Sequence, residues 1–180
     1  MSPLRLSPAL LVSISLLACA APHPPDVAPH DVRALSHGAK LTVVFFFSAH
    51  CPCQAAHDAR LRALFSRYSP HGVQFVAVDA EASASSEVDG REAQARGYPF
   101  PIVSDPDGKL ADELGAGVAT FTVVIDERGR VVYSGGIDSD RSHLTEGAEP
   151  WLNDALAALL AGKTPKITES KALGCALQRK

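Results

Sequence analysis

The stretch Leu41-Thr42-Val43-Val44-Phe45-Phe46-Phe47-Ser48-Ala49-His50-Cys51-Pro52-Cys53 decides how this chain is read. Seven residues of apolar, β-branched and aromatic character form a run suited to a central strand covered on both faces. Directly behind it, Gln54-Ala55-Ala56-His57-Asp58-Ala59-Arg60-Leu61 continues with Leu64, Phe65 and Tyr68 at helical spacing. Two thiols therefore sit where a buried strand turns into a helix. Free N–H groups and a partial positive charge at a helix start favour thiolate over thiol. Thiolate is the attacking form in disulfide exchange and in peroxide reduction, so the pattern points to redox chemistry at sulfur.

Working outward, further strand signals are Val73–Val78, Thr122–Ile125 and 130–133, the last two joined by the turn Asp126-Glu127-Arg128-Gly129. A short helix is expected at Leu110, Ala111 and Leu114, closed by Gly115. A longer one is expected at Trp151, Leu152, Ala155, Leu156, Leu159 and Leu160, closed by Gly162. The polar stretch 81–97 leaves room for a helix over Asp89–Arg96. The order β-α-β-α-β-β-α predicts an α/β fold, a mixed central sheet with helices on both faces.

The 180 residues suit one domain, and 46% apolar content supplies a core. A net charge of −3 gives no reason to expect nucleic acid as a partner. The start carries one basic residue, Arg5, then an apolar stretch ending Leu16-Leu17-Ala18-Cys19. This reads as an export signal over residues 1–18. It resembles the bacterial lipobox, which implies a lipid on Cys19 and attachment to a membrane; the alternative is an ordinary signal peptide cut at Ala20 or Ala21. Residues 19–37 contain Pro22, Pro24, Pro25 and Pro29 and form an extended spacer. The folded unit is expected over 38–162, followed by a tail, 163–180, that carries Cys175. Export implies an oxidising compartment, periplasm or cell envelope. With Cys19 lipidated, Cys51, Cys53 and Cys175 remain, an odd number that suggests an exchanging thiol.

Four segments in order resemble the redoxin branch of the thioredoxin fold, which includes peroxiredoxins and membrane-anchored thiol-disulfide oxidoreductases. They are Phe46 to Pro52; Phe100-Pro101-Ile102-Val103-Ser104-Asp105-Pro106-Asp107-Gly108-Lys109-Leu110-Ala111; Val123-Val124-Ile125-Asp126 with Gly129 and Tyr133-Ser134-Gly135-Gly136-Ile137-Asp138; and the ending Ala172-Leu173-Gly174-Cys175. The resemblance implies a thioredoxin-like fold and Cys51 as nucleophile, with protein thiols and disulfides, or a peroxide, as partners. It implies no cofactor. Ser48 matches the Ser or Thr that peroxiredoxins place three residues before their cysteine. Thr120 stands where their distant arginine would be, and Arg96, Arg128 and Arg141 are the unplaced candidates for that role. Phe121 occupies the position of the cis-proline that faces the cysteines in thioredoxins, and a trans peptide is expected there, since a cis bond before a non-proline costs roughly 2.5–4 kcal/mol. Thr120 and Phe121 thus mark the expected substrate-facing loop.

The partner of Cys51 is open at this point. Cys53 is a candidate resolving thiol, but a Cys-x-Cys ring meets disulfide geometry only under strain. Cys175 is the other candidate. His50 either tunes the thiolate or, with Cys51, Cys53 and His57, makes a set suited to Cu(I) or Zn(II); copper is the alternative cofactor. His57, four residues after Cys53, is otherwise expected to be solvated. Exchange, peroxide reduction, metal carriage and a non-catalytic scaffold are the four functional readings. Gly115-Ala116-Gly117 lacks the third glycine of a nucleotide loop, Asp105-Pro106-Asp107-Gly108 reads as a turn, and Asp138-Ser139-Asp140 reads as a solvated loop.

Overall fold

The computed structural model describes residues 38–179. The signal segment, Cys19 and the spacer lie outside the described residues. Strand β1, Leu41–Phe47, is buried along its whole length and forms the centre of a five-stranded sheet of order β3-β2-β1-β4-β5. It runs parallel to β2 (Val73–Asp79) and antiparallel to β4 (Thr122–Asp126). β3 (Ile102–Ser104) adds to β2 in parallel, and β5 (Val131–Gly135) adds to β4 in antiparallel sense. The helices are α1 (Pro52–Tyr68), α2 (Ser86–Ala95), α3 (Lys109–Leu114) and α4 (Trp151–Leu160).

The expected order lacked β3. That strand has three residues, is half-buried and lies between Pro101 and Asp105-Pro106, so it shows no period of its own. It exists because β2 offers a free edge: Ala77, Val78 and Asp79 pair with Ile102, Val103 and Ser104. The helix expected over 89–96 begins three residues earlier. Ser85 caps it by accepting a hydrogen bond from the Val88 N–H through its hydroxyl.

Alternation along β1 sorts the core into two layers. Val43, Phe45 and Phe47 face Leu61, Phe75, Tyr98, Phe100, Leu152 and Leu156, so α1 and α4 cover this side. Phe45 meets Phe100 edge-to-face at 5.5 Å between ring centroids, and Phe65 meets Phe75 at 5.7 Å. Val44 and Phe46 face the other way, onto Leu110 and Leu114 of α3 and onto Leu177 near the chain's end. Cys51 and Cys53 belong to this second layer.

The segment after α4 returns across the sheet. Ser134 of β5 donates its N–H to the Thr168 carbonyl and accepts from the Ser170 N–H, both at 3.0 Å. Gly135 is required here: its φ is 144°, and a Cβ would stand 2.2 Å from Ser170 Oγ. The chain then crosses to the other end of the sheet, where Ala176 bridges Val118 and Leu177 is buried.

Candidate active site

Three elements converge at the C-terminal ends of β1 and β2. The first is the β1–α1 junction. Cys51 is the N-cap of α1, with extended φ/ψ of −86° and 114°, and Pro52 opens the helix, where a missing N–H is harmless. The second is the loop 117–121 before β4. Thr120 holds a φ of 71°, a strained conformation for a β-branched residue. Hydrogen bonds over-determine it: the Thr120 N–H donates to the Phe46 carbonyl, the Phe46 N–H to the Phe121 carbonyl, both at 2.8 Å, and Thr122 Oγ1 to the Thr120 carbonyl at 3.1 Å. The described peptide bonds are all trans, including the one before Phe121, whose ring tilts against Phe46 at 6.3 Å. The third element is the tail. Ala119 donates its N–H to the Cys175 carbonyl at 2.8 Å, and Leu177 donates to the Gly117 carbonyl at 3.1 Å.

Gly174 makes this crossing feasible. A Cβ there would fall 1.7 Å from the Ala119 carbonyl oxygen and 3.0 Å from Thr120 Oγ1. The next residue then delivers its sulfur to the helix start. Cys175 Sγ lies 2.7 Å from Cys51 Sγ. The sulfurs of Cys51, Cys53 and Cys175 all lie within 4.8 Å of one another. None is in a disulfide. Cys51 and Cys53 are 1% and 3% exposed, so the tail and the loop cover these two sulfurs, while Cys175 itself is partly exposed.

The electrostatics separate the two nearest thiols. Burial opposes charge on Cys51. Hydrogen bonds from the Cys175 thiol and from the N–H groups of Gln54, Cys175 and Cys53 outweigh it and hold the Cys51 pKa below that of a free thiol. For Cys175 burial comes first, and the neighbouring Cys51 and Cys53 sulfurs add to it, so its pKa is well above that of a free thiol. Of the two sulfurs, Cys51 is therefore the one that loses its proton more readily and Cys175 the one that keeps it.

Ser48 is buried and its carbonyl accepts the Cys51 N–H at 3.2 Å, so the residue shapes the turn through its backbone. His50 is exposed; the charge on Cys51 is held by the groups just named. Arg96 spends its three nitrogens on Glu92, Asp58 and the Ala49 carbonyl, with its guanidinium 5.0 Å from the centre of the Phe47 ring. It braces the 48–50 loop rather than serving the sulfur. Arg128 sits in the β4–β5 turn, at the opposite end of the sheet, and Arg141 is exposed.

The four-ligand set His50, Cys51, Cys53 and His57 is not assembled. His57 is 2% exposed, not solvated. Its Nδ1 lies 2.7 Å from the Cys53 carbonyl and its Nε2 3.0 Å from Asp138 Oδ1. Both partners are acceptors, so both ring nitrogens donate, and the ring is an imidazolium with no lone pair for a metal. Asp138 is equally buried, at 4%, and also accepts from Arg60 at 2.5 Å, which reaches on to Asp140 at 3.1 Å. The stretch expected to be a solvated loop supplies the counter-ion of a buried charge. Helical spacing places His57 and Arg60 on adjoining positions of α1, which was the available clue; their partner lies 81 residues away from His57 and left none.

A family model described as Redoxin matches residues 21–148. The chain belongs to the redoxin family. Family and fold place this redoxin among thiol oxidoreductases in kind. Among solved structures, an uncharacterised conserved protein from Geobacillus kaustophilus is 28% identical, with 78% of each chain covered and a TM-score of 0.71. A hypothetical protein from Sinorhizobium meliloti is 27% identical over 82% of this chain and 84% of that one, with a TM-score of 0.72. The bacterioferritin comigratory protein of Xanthomonas campestris shares the fold at 20% identity, covering 85% of this chain and 98% of its own, with a TM-score of 0.53. No curated protein matches the chain.

Proposed function

We propose that this redoxin is an exported thiol-disulfide oxidoreductase in which Cys51 is the nucleophile and Cys175 the resolving thiol. The observation that carries the reading is the 2.7 Å approach of Cys175 Sγ to Cys51 Sγ at a helix start. The Cys51 thiolate attacks one sulfur of a partner disulfide, forming a mixed disulfide and expelling the other sulfur as thiolate, which takes up a proton. Cys175, giving its proton to the departing group, then attacks Cys51 Sγ. A Cys51–Cys175 disulfide forms and the partner leaves as a dithiol, reduced by two electrons. An external dithiol regenerates the protein, and the same steps run backwards oxidise a partner. Access requires the tail to lift from Gly117–Ala119, which frees the same backbone groups for an extended stretch of a partner polypeptide.

Peptide mapping after treatment with one equivalent of an oxidised dithiol tests this assignment. The expected product is a Cys51–Cys175 disulfide with Cys53 free, and Cys175→Ser should accumulate mixed disulfide on Cys51. A Cys51–Cys53 disulfide, with Cys175 alkylatable throughout, would overturn it.

The proposal includes placement on the cell envelope. Residues 1–18 would be removed, Cys19 lipidated, and residues 19–37 would hold the domain, 38–162 with its tail 163–180, off the membrane. Leu16-Leu17-Ala18-Cys19 followed by the proline-rich spacer supports it. Among the described residues no helix is long and apolar enough to cross a membrane. Cys19→Ser should move the exported protein from the membrane to the soluble fraction; a variant that stays membrane-bound removes the lipid reading.

A further inference from the structure

The exchange reading uses two of the three clustered thiols. Cys53 is buried in the first turn of α1, its sulfur within 4.8 Å of both others. It is separated from Cys51 by a single proline, a spacing poorly suited to a disulfide. A third buried thiol converging on a redox pair that does not need it calls for a chemical role of its own. We infer that the reduced protein holds one Cu(I) ion in a three-thiolate site made by Cys51, Cys53 and Cys175.

The donor set selects the metal. Thiolates are soft ligands and favour Cu(I) or Zn(II). Zn(II) takes four ligands in a closed site, and no fourth Cys, His, Asp or Glu joins the cluster among the described residues. His57, the imidazole nearest in sequence on the helix, has both nitrogens committed to acceptors. Cu(I), a closed-shell d10 ion, is content with three sulfurs, two of them here buried. The three sulfurs lie within 4.8 Å of one another, the range that one shared ion spans, although one pair must open to admit it. With metal–sulfur bonds of about 2.3 Å, three sulfurs in a plane around one ion stand about 4.0 Å apart. Cys51 and Cys175, now at 2.7 Å, would separate by about 1.3 Å to reach that spacing, a shift within reach of side-chain torsions on Cys175. The excess negative charge of three thiolates faces the N–H groups at the start of α1, which stabilise anions. Ligands contributed by two segments far apart in sequence, the β1–α1 junction and the tail, make the site dependent on the docked tail.

Binding converts the cluster without a redox change at sulfur: each cysteine still protonated releases its proton as Cu(I) enters, and the ion keeps its oxidation state. An oxidised Cys51–Cys175 pair has too few thiolates to hold it. Metal and disulfide are therefore alternative occupants of one site, and this inference goes beyond the exchange reading rather than depending on it.

Anaerobic titration of the reduced full chain with Cu(I), in competition with bicinchoninate, tests it. The expected result is one Cu(I) per chain and X-ray absorption showing three sulfur neighbours. Cys53→Ser and Cys175→Ser should each weaken binding at least roughly 100-fold, beyond the range seen when only a supporting group is lost. Cys53→Ser should retain disulfide exchange, which separates failure of the metal site from failure of the redox pair and shows that the variant is folded. No competition with bicinchoninate, Cys53→Ser binding as tightly as the parent chain, or a stoichiometric site preferring Zn(II), would each overturn the inference.

Discussion

Cys51→Ser is expected to abolish disulfide exchange, lowering turnover by roughly 1000-fold or more, to the limit of an artificial-disulfide assay. A serine hydroxyl stays protonated at neutral pH, and the N–H groups that stabilise a Cys51 thiolate gain nothing from a neutral oxygen. Cys175→Ser should act differently. The serine hydroxyl can still donate to the attacking thiolate, which remains at the helix start, so the first attack survives and the second is lost: a single-turnover burst of mixed disulfide replaces steady turnover. Because the pKa of Cys51 is lowered, the rise of exchange rate with pH should have its midpoint below that of the same reaction run with an unstructured peptide thiol. A midpoint at or above that of the peptide thiol, or Cys51→Ser turning over at a tenth of the parent rate, would remove Cys51 as the nucleophile.

The first half of this site was legible because its signals are local. A seven-residue apolar run, a Cys-Pro at its end and a helical stripe behind it fix a strand, a cap and a helix without reference to the rest of the chain. Cys51 at the N-cap follows from that alone. Cys175 was visible only as a candidate, since nothing in Leu173-Gly174-Cys175 states where the tail docks. The reason emerges at Gly174, whose missing Cβ lets the tail pass the Ala119 carbonyl; the requirement is set by a loop 55 residues away. The β3 strand was silent for a similar reason, its existence depending on the free edge of β2. Thr120 and Phe121 were correctly placed before β4, but the left-handed φ of Thr120 is enforced by hydrogen bonds to Phe46 and has no counterpart in residue type. Pairings that need two distant segments leave no period and no spacing to read.

His57 carries this point into energetics, because its partners are neither local nor periodic. His57→Ala is expected to destabilise the fold by about 3–5 kcal/mol, the range for removing one member of a buried ion pair, lowering the melting temperature by roughly 10 °C. The loss arises because Asp138, 4% exposed, would keep its charge with Arg60 as its one cation and the Asp140 N–H as its other donor, and the Cys53 carbonyl would lose its side-chain donor. The pair also predicts a pH profile. Burial disfavours the charge on His57, but the hydrogen bond to Asp138, then the Cys53 carbonyl, outweigh it and raise the pKa above the ordinary imidazole value. Burial likewise opposes charge on Asp138, and the His57 and Arg60 hydrogen bonds overcome it and lower its pKa. The raised histidine contributes stability that is complete below its unfolded pKa of about 6.5 and is lost as pH rises through the higher folded value. The depressed aspartate contributes stability that is complete above about 3.9 and is lost as pH falls through its lower folded value. Stability from this pair should therefore be greatest between about pH 4 and 6.5. Urea denaturation at pH 6 and at pH 9 measures it: the parent chain should lose stability between the two, and His57→Ala should lose less, keeping the part that comes from Asp79, whose carboxyl burial pushes up to about 7. A His57→Ala chain within about 1 kcal/mol of the parent at pH 6 would mean that the ring is neutral and the pair uncharged, against the two acceptors that flank it.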